Sequence, residues 1–436
     1  EMLRSLVGSE MCIRDSYNVR LFNSFKINDR ISLESNMSAS RQHQVAPTQI
    51  GSILGSSIPQ PGLPVSTIDG KPYAWGGIHT PNWSAELGGD NKLVVTTMNV
   101  NEILKVNILD GLDFQGTLGY STNNAARDEQ YLSIDWYQYD GTPIQNENSP
   151  YPAKEKSSYT KSSARTDNYT ASAFLTYKKL FDEAHDISLM GGVQYDYAAY
   201  DYSGTKAMDV EAAIESLNGK GQIYIDKVDR WEEAILSYFG RLNYNYKSRY
   251  MVEVNARYDG SSKFPENSKW GFFPSASIGW RLSEEKFMEW SRNWLDNLKI
   301  RLSAGSMGNG NIDPYKYIDY MTIKTSTVVI GDALGSYTTA PGAIPLSLTW
   351  ETATTYDVGF DMDLFRNRLS IGFDWYRRYT TDMYTVGVSL PSVYGTDAPK
   401  GNNASLKTNG WELSVGWRDS FELGGKAFSY NVKAMV

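Results

Sequence analysis

Residues 236–258 read LSYFGRLNYNYKSRYMVEVNARY, and the alternation in this stretch decides the fold. From Leu236 to Tyr246 the even-numbered positions are apolar, aromatic or glycine, while the odd-numbered ones include Arg241 and Asn243. Residues 247–249 interrupt the pattern, which resumes from Tyr250 to Tyr258 with the even positions again apolar or aromatic. Strand side chains point to opposite faces with a period of two. The stretch therefore predicts two strands joined by a tight turn, with one apolar and one polar face.

The same pattern recurs along the chain and predicts an all-β, antiparallel protein. Alternating runs are joined in turn by short polar connections and by long irregular ones. A membrane-spanning strand needs about 9 to 11 residues, and outer-membrane barrels have short turns at one end and long loops at the other. The predicted strands are residues 17–27, 31–41, 93–107, 112–123, 166–179, 186–200, 234–246, 250–260, 272–282, 297–306, 351–364, 368–384, 407–418 and 426–436.

The composition limits the classes of protein to which the chain can belong. The 436 residues carry a net charge of −8, and their mean hydropathy is −0.44. No run approaches the roughly 18 apolar residues of a transmembrane helix, which excludes a helical membrane protein. No cluster of Lys and Arg occurs, so no nucleic-acid partner is expected. A barrel is compatible with low hydropathy, because only every second residue of its strands meets lipid.

Aromatic residues make up 13% of the chain, and many lie near the ends of predicted strands. Tyr and Trp collect at the two lipid–water interfaces of a barrel, because the ring is apolar and its polar atom needs water. They are also good strand formers in any sheet. With the alternating connections, we interpret them as interfacial girdles of a transmembrane β-barrel. The candidate girdle residues are Tyr244, Tyr246, Tyr250, Trp280, Trp350, Trp375, Tyr376, Trp411 and Trp417.

Two blocks of sequence resemble one known family. The first contains FGRLNYNYKSRYMVEVNARYDGSSKF (239–264), KWGFFPSASIGWRLSEEKF (269–287) and LKIRLSAGSMGNGNI (298–312). The second contains LTWETATTYDVGFDMDLFRNRLSIGFDWYRRYTTDMY (348–384) and KTNGWELSVGWR (407–418). These long, ordered runs resemble the barrel core of SusC/RagA TonB-linked, or TonB-dependent, outer-membrane proteins.

The resemblance implies a fold, a location and partners. Such proteins are 22-stranded barrels of the Gram-negative outer membrane with an N-terminal plug, so the chain is expected to form about 14 of 22 strands, with the plug absent. They import oligosaccharides or peptides with a SusD-like surface lipoprotein and draw energy from the TonB complex. No cofactor is implied. A complete reading frame with an upstream plug and TonB box would test this assignment.

The first sixteen residues, EMLRSLVGSEMCIRDS, differ from the rest of the chain. They have neither strand alternation nor the regions of a signal peptide, and they resemble translated adapter read-through. We therefore expect residues 1–16 to be a non-native leader and residues 17–436 to be a partial barrel domain. Within that domain, Ser283 is expected to cap a short helix in residues 283–296.

The long connections carry the candidate ligand residues. Aromatic rings stack on sugars, and loops on a rigid scaffold commonly bind ligands; packing within the loops and contact with a lipoprotein lid are the competing interpretations. The candidates for contact with substrate or lid are Trp75, Trp83, Trp136, Tyr137 and Tyr139.

Catalytic and metal sites are not indicated. His43, His79 and His185 lack a partner at metal-ligand spacing. The run 308–310, Gly-Asn-Gly, lacks the pattern of a phosphate loop and is expected to end a strand at the barrel rim. Residues 259–264, DGSSKF, are interpreted as a turn rather than as a binding loop.

Two other classes of protein are compatible with the strand pattern. A passive outer-membrane porin has the same wall, and only the family blocks favour an importer. A soluble all-β carbohydrate-binding module, such as a propeller, is less favoured because the hairpins are unevenly spaced and show no blade motif. An enzyme has the least support.

Overall fold

A computed structural model describes residues 13–49, 64–75, 78–79, 81–144, 157–211, 215–318, 321–330, 333–339, 348–387, 391, 393 and 400–436. Fourteen of the strands form one antiparallel sheet in which each strand pairs with the next sheet strand along the chain. Among the described residues, the first and last of these strands do not pair with each other, so the sheet is open. The prediction of an antiparallel, partial barrel wall of fourteen strands is confirmed.

Short and long connections alternate along the sheet, except that residues 282–294, at the short-turn end, form a longer connection than residues 262–269 at the opposite end. Two small hairpins, β3–β4 and β13–β14, lie within long connections. The bounds are β1 (Ile13–Lys26), β2 (Ile31–Pro47), β3 (Ala74–Trp75), β4 (Ile78–His79), β5 (Asp90–Leu109), β6 (Leu112–Tyr131), β7 (Ser158–Phe181), β8 (His185–Met208), β9 (Ile223–Tyr246), β10 (Tyr250–Ser261), β11 (Trp270–Arg281), β12 (Leu295–Asn309), β13 (Ile323–Ile330), β14 (Ala333–Thr338), β15 (Glu351–Leu364), β16 (Leu369–Val386), β17 (Lys400–Leu423) and β18 (Lys426–Met435).

Several strands are much longer than the sequence predicts. β7, β8 and β9 each have 24 residues, and they extend toward the long connections. The extensions were predicted as loops because they lack apolar alternation. Their outward positions include charged residues such as Arg165 and Asp167, which form an ion pair at 2.8 Å. Backbone pairing therefore continues past the level at which one face must be apolar.

The short connections are tight turns with a left-handed backbone. Lys247 and Ser248, between β9 and β10, have φ angles of 51° and 54°. Asp182 and Glu183, between β7 and β8, have φ angles of 49° and 50°. Two successive residues with positive φ are typical of type I′ turns, whose twist matches that of the flanking strands. The predicted short turn at 247–249 is thus confirmed.

The connection between β11 and β12 contains 3₁₀ turns rather than the predicted capped helix. They span Leu282–Glu284 and Lys286–Ser291. Ser283 lies inside the first turn, and its buried Oγ has no hydrogen-bond partner among the described residues, so the prediction of an N-cap is wrong.

In the part of the chain that the structure describes, helical structure is confined to short segments. A helix of seven residues, α1 (Pro81–Leu87), lies in the first long connection, which the sequence predicts as irregular. Among the described residues, no helix combines the length and the apolar composition needed to cross a bilayer.

The beginning of the described chain bears on the expected leader. β1 begins at Ile13, where it pairs with Val45, four residues before the expected boundary at Tyr17. Residues 1–12 lie outside the described part of the chain. The non-native origin of residues 1–16 stays a prediction.

Candidate functional site

The two faces of the sheet differ in chemistry along whole rows of paired residues. Directly opposed residues on neighbouring strands share a face. Val252 of β10 pairs with Ile278 of β11, and the row continues through Leu302, Val358 and Trp375 on the next three strands. The adjacent row points the other way and consists of Glu253, Ser277, Ser303, Asp357 and Tyr376.

The polar face is the concave one. Two recesses, of about 440 and 650 Å³, open on the side of the sheet to which its polar side chains point. A wet interior and an apolar exterior are the arrangement of a wide membrane barrel. The first recess is lined by polar residues that include Asp186, Asn243, Glu253, Lys299 and Arg301. The second lies near the β1–β2 turn and is lined by cations that include Lys26, Arg30, Lys105 and Lys178.

Arg301 joins three strands on the concave face. Its Nε lies 2.8 Å from Oδ2 of Asp361 on β15, and its Nη2 lies 3.0 Å from Oδ1 of Asp374 on β16. A guanidinium has a planar array of donors that can bind two carboxylates at once. The contact neutralises two neighbouring acids and holds β12, β15 and β16 together.

A small apolar core lies at the rim of the wall, at the end with the long connections. Phe264 and Leu348 are almost fully buried, and they pack with Phe273 and Trp350. Trp350 is 8% exposed, and its Nε1 donates a 3.0 Å hydrogen bond to the carbonyl of Lys269. It packs on Phe273, which points to the concave side, so the assignment of Trp350 to a lipid-facing girdle is wrong.

The first and second long connections, which carry the predicted ligand residues, pack into one unit. The N–H of Ala74 donates to the carbonyl of Tyr137 at 3.1 Å, and Lys71 lies over the Tyr137 ring at 4.9 Å. Trp136 is 5% exposed and packs with Ala74 and Ile134 in the centre of the unit. We call this unit, built from residues 64–75, 81–89 and 132–144, the loop cluster.

The remaining predicted ligand residues lie around that core. Trp83 packs against it, and its Nε1 donates a 2.7 Å hydrogen bond to the carbonyl of Val65. Trp75 is 59% exposed, and Tyr139 is 52% exposed with its ring edge-on to Tyr73 at 6.0 Å. All five predicted residues thus belong to one cluster, but only Trp75 and Tyr139 offer a largely exposed ring.

A ladder of rings lies on the apolar face at the short-turn end. The ring centroids of His185 and Tyr246 lie 4.8 Å apart. Tyr246 stacks on Tyr250 with centroids 6.2 Å apart, and Tyr250 stacks on Trp280 with centroids 6.4 Å apart. Both Tyr250 and Trp280 donate hydrogen bonds to Glu285, at 2.6 and 3.2 Å. These bonds hold the pKa of the Glu285 carboxyl below its usual range.

Four other predicted girdle residues also point outward. They share the face of Val252 and Leu369 through the strand pairings, and they are Tyr244, Trp375, Trp411 and Trp417. Tyr376 is the exception, because it follows Trp375 by one residue and therefore points to the concave side. There its ring fills the space beside Gly410, where an added Cβ would lie 2.5 Å from it. The assignment of Tyr376 to the girdle is wrong.

A second aromatic level was missed by sequence reasoning. Tyr258 stacks on Trp270 at 4.8 Å, and Tyr238 stacks on the same ring at 6.1 Å. Tyr250 and Tyr258 lie on one strand eight residues apart, which is about 27 Å along the strand and about 20 Å along the normal of a barrel tilted by roughly 40°. Two aromatic levels at that separation fit the apolar band of a bilayer. The spacing of eight residues between Tyr250 and Tyr258, on one face of a predicted strand, could have indicated this second level.

The other sequence motifs are structural. β12 ends at Asn309, so residues 308–310 lie at the rim as predicted. Residues 259–261 belong to β10, and Asp259 accepts hydrogen bonds from Arg257 at 2.7 and 2.9 Å.

The two histidines whose side chains the structure describes, His43 and His185, lie on separate strands, β2 and β8. Nδ1 of His185 lies 2.8 Å from the hydroxyl of Tyr244, His43 lies in β2, and the side chain of His79 lies outside the described part. The part of the chain that the structure describes contains no cluster of three His, Cys, Asp or Glu residues able to hold a metal.

Comparison with known proteins assigns the class. The family described as "TonB dependent receptor-like, beta-barrel" matches residues 62–435. The chain therefore belongs to this family of outer-membrane transporters, whose members are not enzymes.

Relatives and solved structures place the chain within that family. It is 31% identical to TonB-dependent receptor P3 of Formosa agariphila over 74% of this chain and 31% of that protein. It is 36% identical to TonB-dependent receptor SusC of Bacteroides thetaiotaomicron over 42% of this chain and 18% of that protein. The RagAB peptide importer in its open-open state covers 97% of this chain and 46% of its own, with 22% identity and a TM-score of 0.75, which shows the fold alone. The chain spans less than half the length of these proteins.

Proposed function

We propose that this chain forms part of the wall of a TonB-dependent importer of oligosaccharides or peptides in a Bacteroidota-type outer membrane. The observation that carries the proposal is the two-faced wall, apolar outside and polar inside, in a chain of this family. The similarity to SusC and the likeness to a peptide importer support an importer of large polar nutrients rather than of ions.

The loop cluster is the proposed region of contact with cargo or lid. Trp75 and Tyr139 are its exposed aromatic rings, and a ring face with a polar neighbour suits stacking on a sugar or on a peptide side chain. Trp83 and Trp136 pack within the cluster and hold it in shape, and Tyr137 links its two loops. The proposed external partner is a SusD-like lipoprotein resting on this rim.

Energy is proposed to come from the TonB complex, acting through segments of the parent protein other than this wall.

The girdle assignment of the remaining aromatic residues is consistent with this proposal. Seven of the predicted residues point outward, and the ladder from Tyr246 to Trp280 lies beside the turns of the short-turn end. We propose that this level marks the periplasmic interface.

The test is uptake by cells that carry the full-length receptor and its neighbouring lipoprotein. Uptake of labelled oligosaccharide and peptide libraries is compared between wild type and Trp75→Ala/Tyr139→Ala, with and without a functional TonB complex. The expected result is TonB-dependent uptake of one cargo class, reduced at least tenfold in the double variant. Uptake that persists without TonB would identify a passive porin and overturn the proposal.

A matched control separates contact from folding. Tyr73→Phe lies in the same cluster but keeps the buried ring that contacts Tyr139. Uptake by this variant is expected to match wild type, and surface labelling should show equal amounts of all receptors.

A further inference from the structure

The connection between β11 and β12 exposes three large aromatic side chains. Phe287, Trp290 and Trp294 are 60%, 69% and 40% exposed. Phe287 and Trp290 lie three positions apart in one 3₁₀ segment, in which residues at that spacing lie on the same side. The ring centroids of Trp290 and Trp294 lie 5.9 Å apart. The three rings therefore form one apolar patch, which we call the aromatic foot.

Hydrogen bonds hold this connection on the outward side of the wall. Tyr250 and Trp280 belong to the outward-pointing ladder of rings, and both donate to Oε1 of Glu285, the residue just before the longer 3₁₀ segment. At the other end, the N–H of Phe365 donates a 2.8 Å hydrogen bond to the carbonyl of Trp294. Both ends of the connection are thus fixed to the wall, and the first end lies beside outward-pointing rings.

Two leucines beside the connection show that the chain covers this part of the outer face. Leu364 lies on β15 six positions after the outward-pointing Val358, so it also points outward, and Leu295 of β12 is its direct partner. These leucines are 7% and 4% exposed, whereas Leu302, farther along the same face, is 46% exposed. A wall one layer thick cannot bury its own outward side chains, so the connections next to the two leucines lie over them.

The connection has the composition of a segment that lies in a lipid–water interface. Aromatic side chains beside charged ones are typical of interfacial segments, and Trp is enriched at the level of the headgroups. The connection contains Lys286 and Arg292 together with Glu284 and Glu289. These charges of both signs suit a zwitterionic phospholipid, which presents a phosphate and an amine. Trp280, the last ring of the ladder that we assign to the periplasmic interface, lies two positions before this connection.

We propose that residues 282–294 bind phospholipid, and that the aromatic foot inserts its three rings among the headgroups of the leaflet at the short-turn end. The proposal rests on the membrane placement of the wall in the proposed function, and it adds a lipid contact that no strand makes. Movement of the wall along the membrane normal takes these rings into water or deep into hydrocarbon. The aromatic foot therefore fixes the depth of the barrel at one point of its circumference.

Spin labelling of the full-length receptor in phosphatidylethanolamine–phosphatidylcholine vesicles tests the proposal. A nitroxide is attached at Phe287→Cys or at Trp290→Cys, on a background without other cysteines. Power saturation compares collisions with oxygen, which concentrates in lipid, and collisions with a water-soluble nickel chelate. Val254→Cys, midway between the two aromatic levels, is the reference for hydrocarbon. Glu183→Cys, in the tight turn between β7 and β8 at the same end of the wall, is the reference for water.

The ratio of oxygen to nickel collisions at both positions of the aromatic foot is expected to be at least threefold above that at Glu183 and below that at Val254. Asn293→Cys keeps all three rings and reports on the same connection if either substitution prevents folding, which heat-modifiable gel mobility verifies. Labels at 287, 290 and 293 that match Glu183 would overturn the proposal and indicate that the patch meets a periplasmic protein. If Val254 also matched Glu183, the membrane placement and the proposed function would fail with it.

Discussion

The hydroxyl of Tyr250 donates a 2.6 Å hydrogen bond to Oε1 of Glu285, and this bond links the first residue of β10 to the 3₁₀ segment after β11. Trp280 donates to the same oxygen at 3.2 Å. The ladder of rings and the longest of the short-end connections therefore share one carboxylate.

Replacement of Glu285 by Gln should lower stability in a pH-dependent way. Hydrogen bonds from Tyr250 and Trp280 depress the pKa of Glu285 in the folded protein. A carboxyl group whose pKa is lower in the folded state stabilises that state at any pH above its unfolded pKa, which is about 4.3 for Glu. This contribution is lost as the pH falls through the folded pKa. Urea unfolding of the refolded full-length receptor should show a difference from wild type at pH 7 that vanishes at strongly acidic pH. Glu289→Gln, in the same segment, is the control, and equal effects of the two variants would contradict the assignment.

Arginine on the outer face should be costly where arginine on the inner face is tolerated. Val254 lies midway between Tyr250 and Tyr258, and Val254→Arg is expected to destabilise the barrel by about 2 to 4 kcal/mol. Ser277→Arg, on the concave face of the neighbouring strand, should cost much less because it meets water. Equilibrium unfolding in lipid vesicles measures both, and equal costs would show that the faces are wrongly assigned.

Gly308 should not tolerate a methyl group. A Cβ at this position would overlap Cζ of Phe273, whose ring is buried in the rim core. Gly308→Ala is expected to cost about 1 to 3 kcal/mol through overpacking. The double variant Gly308→Ala/Phe273→Leu should recover part of this loss, and the four members of the cycle are compared by their unfolding midpoints. Independent, additive effects would rule out the contact.

Removal of the Arg301 guanidinium should weaken the link between three strands. Arg301→Met leaves Asp361 and Asp374 without their shared cation, at an expected cost of about 1 to 2 kcal/mol, given that the three side chains are about one-third exposed. Added salt should reduce the difference from wild type, because it screens the remaining repulsion. Arg378→Met, on the same face of β16, is the control. A loss that does not respond to salt would indicate packing rather than charge.

The sequence predicts the membrane-crossing parts of the strands well because lipid imposes a strict alternation there. It fails at Trp350 and Tyr376 for different reasons. Tyr376 follows a correctly assigned residue by one position, and a period of two reverses the face. Trp350 precedes the first residue of β15, so strand periodicity does not fix its direction.

The sequence identifies the aromatic residues of the loop cluster but not how they pack together. Trp75 and Trp136 lie about sixty positions apart in the chain, and only the contact between their loops buries one ring and exposes the other. No local pattern in either loop contains that information. The outer extensions of β7 to β9 were missed because paired backbone above the lipid needs no apolar face.

Those extensions have a consequence for how a large molecule would meet the receptor. From Asp167 to Ser158, β7 continues for nine residues, about 30 Å along the strand and about 20 Å in height. On this side the wall continues as a paired sheet beyond the ring of Tyr169, which lies beside Tyr120 and Tyr197 on the outer face. In the importer proposed above, cargo arriving from outside would therefore meet this rigid sheet before it meets the membrane.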